Sequence, residues 1–207
     1  MSKRILSFKS GVTAKTTKFL LAAVFLTGMW FVADGLWIKG KAAIAQVMLD
    51  RAFLSASVED QKPWAWADIS PIAKISAPRL QQSNIVLNNT SGEALAFGPG
   101  HLVDTPLPGE RGTAVFSAHR DTHFRWIGEL RKGDEILVKR KDGKTIAYEV
   151  RRAWIAKAGS SGINADSDQH LIALTTCWPL DGTQRSDWRY IVEGVEVDVQ
   201  DPEFGPI

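Results

Sequence analysis

One cysteine, Cys177, occurs in 207 residues, so no disulfide can close within the chain. The net charge is only +2, and the basic residues are scattered apart from an N-terminal group and the run from Arg131 to Lys144. That is too little positive charge, too widely spread, for a nucleic-acid surface, and no nucleic-acid partner is expected. No acidic run has the spacing of a calcium loop, so no metal dependence and no cofactor are expected. Internal repeats and low-complexity tracts are also missing, which removes repeat arrays from consideration. What is present is a hydrophobic fraction of 44% beside a charged fraction of 23%, the balance of a folded chain rather than a disordered one. The length suits one ordinary domain with an appendage.

The appendage is N-terminal. Residues Phe19 to Ile38 read FLLAAVFLTGMWFVADGLWI, about the length a helix needs to cross a bilayer. Its only charge, Asp34, lies near one end. Lys3, Arg4, Lys9, Lys15 and Lys18 precede it with no acidic residue among them. This bias places the N-terminus in the cytoplasm and the remainder outside, and Trp30, Phe31 and Trp37 cluster toward the outer end, where aromatic rings favour the interface. A cleaved signal peptide is the rival reading, with Phe19 to Val32 as its apolar run. Against it, no clean small-x-small site precedes a soluble start, and an amphipathic helical pattern continues from Lys39 to Phe53. The expected organisation is a cytoplasmic basic segment over 1–18, a membrane anchor over 19–38, a helical and Pro/Trp-containing connector over 39–79, and a catalytic domain over 80–207.

Within the connector, Pro63, Pro71 and Pro78 favour extended chain, and Trp64 and Trp66 touch either the membrane interface or the domain. Beyond Leu80 the signals are short strands at Asn84–Leu87, Ala94–Phe97, Thr113–Ser117, Glu135–Arg140, Thr145–Trp154, His170–Thr175 and Arg189–Val199. Asp142-Gly143 marks a hairpin between two of them. One short helix is predicted at Thr122–Leu130, capped by Asp121 or Thr122. Closely spaced strands with few helices predict an all-β barrel or sandwich.

Three residues lie where strand-like runs meet loops. Cys177 ends HLIALTT, and a thiol there is held rigidly while its sulfur reaches the surface. A lone thiol facing an oxidising space is exposed to unwanted oxidation, so its retention suggests use. Its thiolate form needs a base or a nearby cation. His119 ends TAVFSA, and its imidazole can take the thiol proton and return one to a leaving amine. Arg189 opens RYIVEGVEV, and a guanidinium there can face an oxyanion or clamp a substrate backbone. Arg185 competes for that role, but it sits in the polar loop Asp181 to Asp187 rather than beside a strand. Each residue alone is equally readable as a buried thiol, a structural histidine or a surface cation.

Together, however, these segments resemble the sortase family of cysteine transpeptidases. LIALTTCWP resembles that family's Thr-Leu-x-Thr-Cys signature. FSAHRDTHF resembles its Gly-His-Arg block, with Ala118 in place of the usual Gly, and IGELRKGDEI resembles the Leu-x-x-Gly-Asp continuation. RYIV resembles the strand that carries the family's essential arginine, and LAFGPGHLVDTPLPGERGTAVFSAHR resembles its lead-in. The resemblance covers about Pro78 to Val199, in the family's order His, Cys, Arg. GPGHLVDTPLPGE and AHRDTHF look more closely like the Gram-negative proteobacterial branch, the class GN or marine proteobacterial sortases.

The resemblance implies an eight-stranded β-barrel with short helices behind a transmembrane helix, and a groove holding His119, Cys177 and Arg189 as catalytic residues. It implies cleavage of a C-terminal sorting motif similar to Leu-Pro-x-Thr-Gly and transfer of the substrate protein to an amine acceptor. Thr176 and Trp178 are expected to contact substrate, Trp178 alternatively shielding the thiol. The implied location is the inner membrane, single-pass, with the domain in the periplasm. Three rivals remain. A zinc hydrolase would use His119 and His123, four apart, but Arg120 stands where its glutamate belongs, and His101 and His170 lack ligand spacing. A hydrolytic cysteine endopeptidase would use the same three residues, and a non-catalytic membrane-tethered binding module would need none of them.

Overall fold

The computed structural model describes residues 14–55, 62–182, 184 and 186–198. The chain divides into two units, Met1–Ile44 and Ala45–Ile207. In the first unit the described residues belong to a helix, α1 (Ala14–Leu54). From Thr16 to Trp37 this helix has a mean hydropathy of 1.9 and is long and apolar enough to cross a membrane. Phe19, Phe25, Trp30 and Phe31 stand exposed along it, an apolar surface that water does not favour. Lys3, Arg4 and Lys9 lie outside the described residues.

The second unit is a closed barrel. Its strands are β1 (Pro71–Ala77), β2 (Gln82–Leu87), β3 (Gly100–His101), β4 (Gly112–Ser117), β5 (Glu135–Arg140), β6 (Thr145–Lys157), β7 (His170–Cys177) and β8 (Trp188–Val197). They close in the order β1-β2-β3-β4-β7-β8-β6-β5. Two junctions, β2·β3 and β4·β7, are parallel. The β2·β3 junction is a single pair, Leu87 with Gly100. Inward-facing Ile75, Phe116, Ile136, Tyr148, Ile172, Leu174 and Val192 fill the interior. A satellite core lies outside the barrel, where Leu49 and Phe53 of α1 meet Ile69, Ile85 and Leu87.

Several local expectations change. Pro71–Ala77, read as extended connector, is a barrel strand with strict alternation: Ala73, Ile75 and Ala77 are buried, while Lys74 and Ser76 are half-buried. Its prolines bound the strand rather than interrupt it, since Pro71 opens it and Pro78 begins a 3₁₀ turn (Pro78–Leu80). Ala94–Phe97, read as a strand, belongs to a short helix, α2 (Gly92–Phe97). The side chain of Ser91 accepts from Ala94 N–H, so a capping residue decided what four apolar residues left ambiguous. The predicted helix at Thr122–Leu130 shrinks to a 3₁₀ turn, Arg125–Glu129, with Phe124 at its N-cap and no side-chain cap from Asp121 or Thr122. The β5–β6 hairpin forms as expected, with Gly143 at φ 89° and Arg140 N–H donating to Lys144 O at 2.8 Å. Trp64 packs edge-on against Phe97, whereas Trp66 is 82% exposed.

Candidate active site

Register explains why distant residues meet. β7 lies between β4 and β8. In the antiparallel β7·β8 ladder, Cys177 is the direct partner of Arg189. In the parallel β4·β7 ladder, Val115 pairs with Ala173 and Ser117 with Thr175. His119, two residues beyond Ser117, continues that row toward Cys177. Side chains alternate along a strand, and paired residues share a face. Val115, Ala173 and Ile191 pack together on the outer face of the barrel. His119, Cys177 and Arg189 share their parity and therefore that face. The three side chains line one cleft of about 570 Å³, together with Arg120, Asp121, Gln184, Ser186 and Asp187. Cys177 is half-buried and His119 exposed, so the sulfur is held by its strand yet open to a ligand.

Charged and polar side chains surround the thiol in the cleft. Arg189 Nη1 donates to Ser186 O at 2.9 Å and to Trp188 O at 3.0 Å, which folds the guanidinium back over the loop that precedes β8. Arg120 reaches the same loop, donating to Pro179 O at 3.0 Å and Gln184 O at 2.6 Å. Two carboxylates, Asp121 and Asp187, complete the rim. Arg185, weighed against Arg189, lies outside the described residues.

Thr176 and Trp178, expected to contact substrate, are not among the residues that line the cleft. Thr176 is 1% exposed, and its hydroxyl donates to Ala118 O at 2.7 Å. It shares the inward parity of Ile172 and Leu174, opposite to Cys177, and it braces the backbone beside His119. Trp178 does not line the cleft. Its N–H extends the ladder to Trp188 O at 2.9 Å, and its ring stacks on Tyr190, which packs against the barrel core. The departure at Ala118 causes no backbone strain: among the described residues Gln81 is the one non-glycine with positive φ. His119 and His123 do not share a helix face, because both precede the 3₁₀ turn. His123 bonds the backbone at Ala96, and burial holds its pKa below the ordinary histidine value.

Arg120, Asp121, Gln184, Ser186 and Asp187 escaped the sequence reading as cleft residues. The only available signal was adjacency, since Arg120 follows His119 and Asp187 stands two before Arg189.

A closed eight-stranded barrel thus carries a thiol, an imidazole and a guanidinium in one outer cleft, an arrangement with the groups that nucleophilic chemistry at a thiol requires. Residues 75–197 match the family model described as the Sortase domain, and the chain belongs to the sortase family. It is 32% identical over 123 residues to Sortase D of Bacillus subtilis strain 168, a match covering 59% of this chain and 62% of that relative's length. The chain thus spans under two thirds of that relative. Among solved structures, a Clostridium perfringens Sortase D5 transpeptidase is similar, with TM-score 0.60, 20% identity, and coverage of 75% of this chain and 99% of that one. A Clostridium perfringens sortase C solved with the C-terminal cell wall sorting motif gives TM-score 0.58 at 22% identity, covering 77% and 91%.

Proposed function

We propose that this chain is a membrane-anchored cysteine transpeptidase that cleaves a C-terminal sorting motif similar to Leu-Pro-x-Thr-Gly and passes the substrate protein to an amine acceptor. The observation that carries the proposal is the cross-strand pairing of Cys177 with Arg189 in a cleft that His119 also lines. Membership of the sortase family supports it, as does the likeness to a sortase C solved with its sorting motif.

In this reading His119 takes the proton from Cys177. The thiolate attacks the carbonyl carbon of the scissile amide and forms a tetrahedral oxyanion. Arg189 faces that oxyanion or holds the substrate backbone beside it, where a fixed positive charge acts without reorganising. Collapse breaks the C–N bond, and the imidazolium gives its proton to the leaving amine. A thioester remains. The incoming amine loses a proton to His119, attacks the thioester carbonyl and expels the thiol. No metal or cofactor enters these steps. Segment 1–18 is assigned to the cytoplasm, 19–38 to the inner membrane, the chain from 39 up to β1 to a connector, and the barrel that β1 (Pro71–Ala77) opens to the catalytic domain in the periplasm. This last assignment follows the basic N-terminal flank and the likeness of GPGHLVDTPLPGE and AHRDTHF to the Gram-negative branch.

The test is incubation of the full-length chain in detergent with a library of sorting-motif peptides and hydroxylamine. Hydroxamate product from wild type and none from Cys177→Ala is expected. Equal product from both ends the proposal.

A further inference from the structure

We propose that Arg120 is a positioning residue that clamps the loop between Cys177 and Arg189, and so fixes the spacing of all three cleft residues; the inference rests on the reading of Cys177 as nucleophile.

Arg120 stands on a backbone that is itself tied to β7. Ala118 N–H donates to Thr175 O at 3.2 Å, and Ala118 O accepts from the Thr176 hydroxyl at 2.7 Å. From that support one guanidinium reaches two carbonyls. Pro179 lies two residues past Cys177, and Gln184 lies five before Arg189. Nη1 serves the first and Nη2 the second, at 3.0 and 2.6 Å. Pro179 O also accepts from Gly182 N–H at 3.1 Å, so the loop is gathered around the same point. A Cβ on Gly182 would stand 2.7 Å from Pro179 Cγ and 3.2 Å from Arg120 Nη1. Loop, proline ring and guanidinium are therefore already in contact, with no room for a methyl group.

The loop also divides two spaces. Gln184, Ser186 and Asp187 face the cleft of Cys177. Leu180, Asp181 and Gly182 face a second cleft of about 610 Å³, further lined by Arg125 and Glu129. Arg120 and Asp121 line both, so the guanidinium is the strut across the partition. Among the described residues Arg120 makes no ion pair; its fork is spent on backbone. Lysine keeps the charge but cannot offer two donors in a planar fork. That difference separates a clamp from a simple electrostatic effect on the thiol.

The experiment uses full-length wild type, Arg120→Lys, Arg120→Ala and Gly182→Ala in detergent. Two quantities are read: hydrogen exchange across residues 178–188, and the rate of Cys177 alkylation by iodoacetamide against pH. The charged or titratable groups facing the thiol cleft are His119, Arg120, Asp121, Asp187 and Arg189. Both Arg120 variants are expected to lose protection in the loop and to alkylate roughly tenfold more slowly at neutral pH, as His119 and Arg189 drift from the sulfur. Gly182→Ala, with Arg120 intact, is expected to show the same pair of changes. A wild-type result for Arg120→Lys beside a defect in Arg120→Ala overturns the clamp in favour of a direct charge effect. Faster loop exchange with an unchanged thiol profile overturns it too, as do unchanged profiles throughout. If Arg120→Ala fails to fold, Arg120→Lys and Gly182→Ala still decide. Failure of the transpeptidase reading shows separately, as absence of hydroxamate from wild type with these differences intact.

Discussion

Cys177 and Arg189 face each other across the β7–β8 ladder with no residue between them in register. The pair closes the β7–β8 register, so neither can move relative to the other without opening the end of that ladder. Because Arg189 also donates to Ser186 O and Trp188 O, its guanidinium is held in place before any ligand arrives. Preorganised charge of this kind is worth most in a transition state, where removing one such contact typically costs about a hundredfold in rate. Arg189→Ala should therefore lower kcat/KM for peptide cleavage by about that factor, with thermal stability near wild type. Arg189→Lys should recover little, because one ammonium cannot keep both carbonyl bonds and still present a planar donor. Steady-state kinetics beside a thermal melt checks this. A lysine variant with wild-type kcat/KM would reduce Arg189 to a point charge.

Thr176 gives the opposite expectation. Its hydroxyl is buried and committed to Ala118 O, so Thr176→Val leaves a buried carbonyl without that donor. An orphaned buried acceptor costs about 1–3 kcal/mol. Urea denaturation should show a loss of that size. KM for the sorting-motif peptide should stay at the wild-type value, since the side chain points away from the cleft. A raised KM with unchanged stability would return Thr176 to the substrate-binding role that its place before the cysteine suggests.

These contrasting neighbours show what was legible in the sequence. The strand-like runs ending at His119 and Cys177 and beginning at Arg189 were plain, because apolar runs bounded by polar loops carry their own ends. The barrel itself followed from the number and spacing of those runs together with the family resemblance. Parity was legible in principle but unanchored. Without the pairing of β4 with β7 nothing in HLIALTTC says which alternate residues face inward, so Thr176 and Cys177 looked equally available. β1 was hidden for another reason, since its two flanking prolines mimic a connector while its alternation is complete in seven residues. The role of Arg120 depends on carbonyls 59 and 64 residues away and left no mark in local pattern.

His101 makes barrel stability depend on pH. It is 5% exposed, edge-on to Phe116, with Nε2 3.0 Å from Pro106 O. Burial holds its pKa below the ordinary histidine value, against smaller raising effects from the Pro106 and Thr105 backbone and from Glu110. Burial lowers the pKa of His123 as well. Below a pH of about 6.5 the unfolded chain binds protons that these folded imidazoles refuse, so stability is full above that value and falls as acid is added. Unfolding free energy from urea titrations should decline from pH 7.5 to pH 5. His101→Gln, which keeps a donor but cannot titrate, should flatten the slope in part. An unchanged slope in that variant would show that His101 is protonated alike in both states.

Gly112 offers a test that separates fold from chemistry. It opens β4 at φ 114°, a conformation that L side chains rarely adopt, and an added Cβ would collide with Ala165 O and the Pro106 ring. Its N–H donates to Gln169 O at 2.9 Å, and Thr113 N–H donates to Ala165 O at 3.0 Å, so the loop before β7 is pinned there. Gly112→Ala must shift that loop or strain the strand, at a cost on the order of 1–3 kcal/mol. The lesion sits at the Gly112–His170 end of the β4–β7 pairing, five rungs from the Ser117–Thr175 end that leads to the cleft. Stability measured by denaturant should therefore drop while kcat/KM of the folded protein stays near wild type. A large loss of kcat/KM at full stability would mean that strain at the start of β4 travels the length of the strand to His119, and that the β4–β7 wall is not the rigid mount on which the arrangement of the three cleft residues depends.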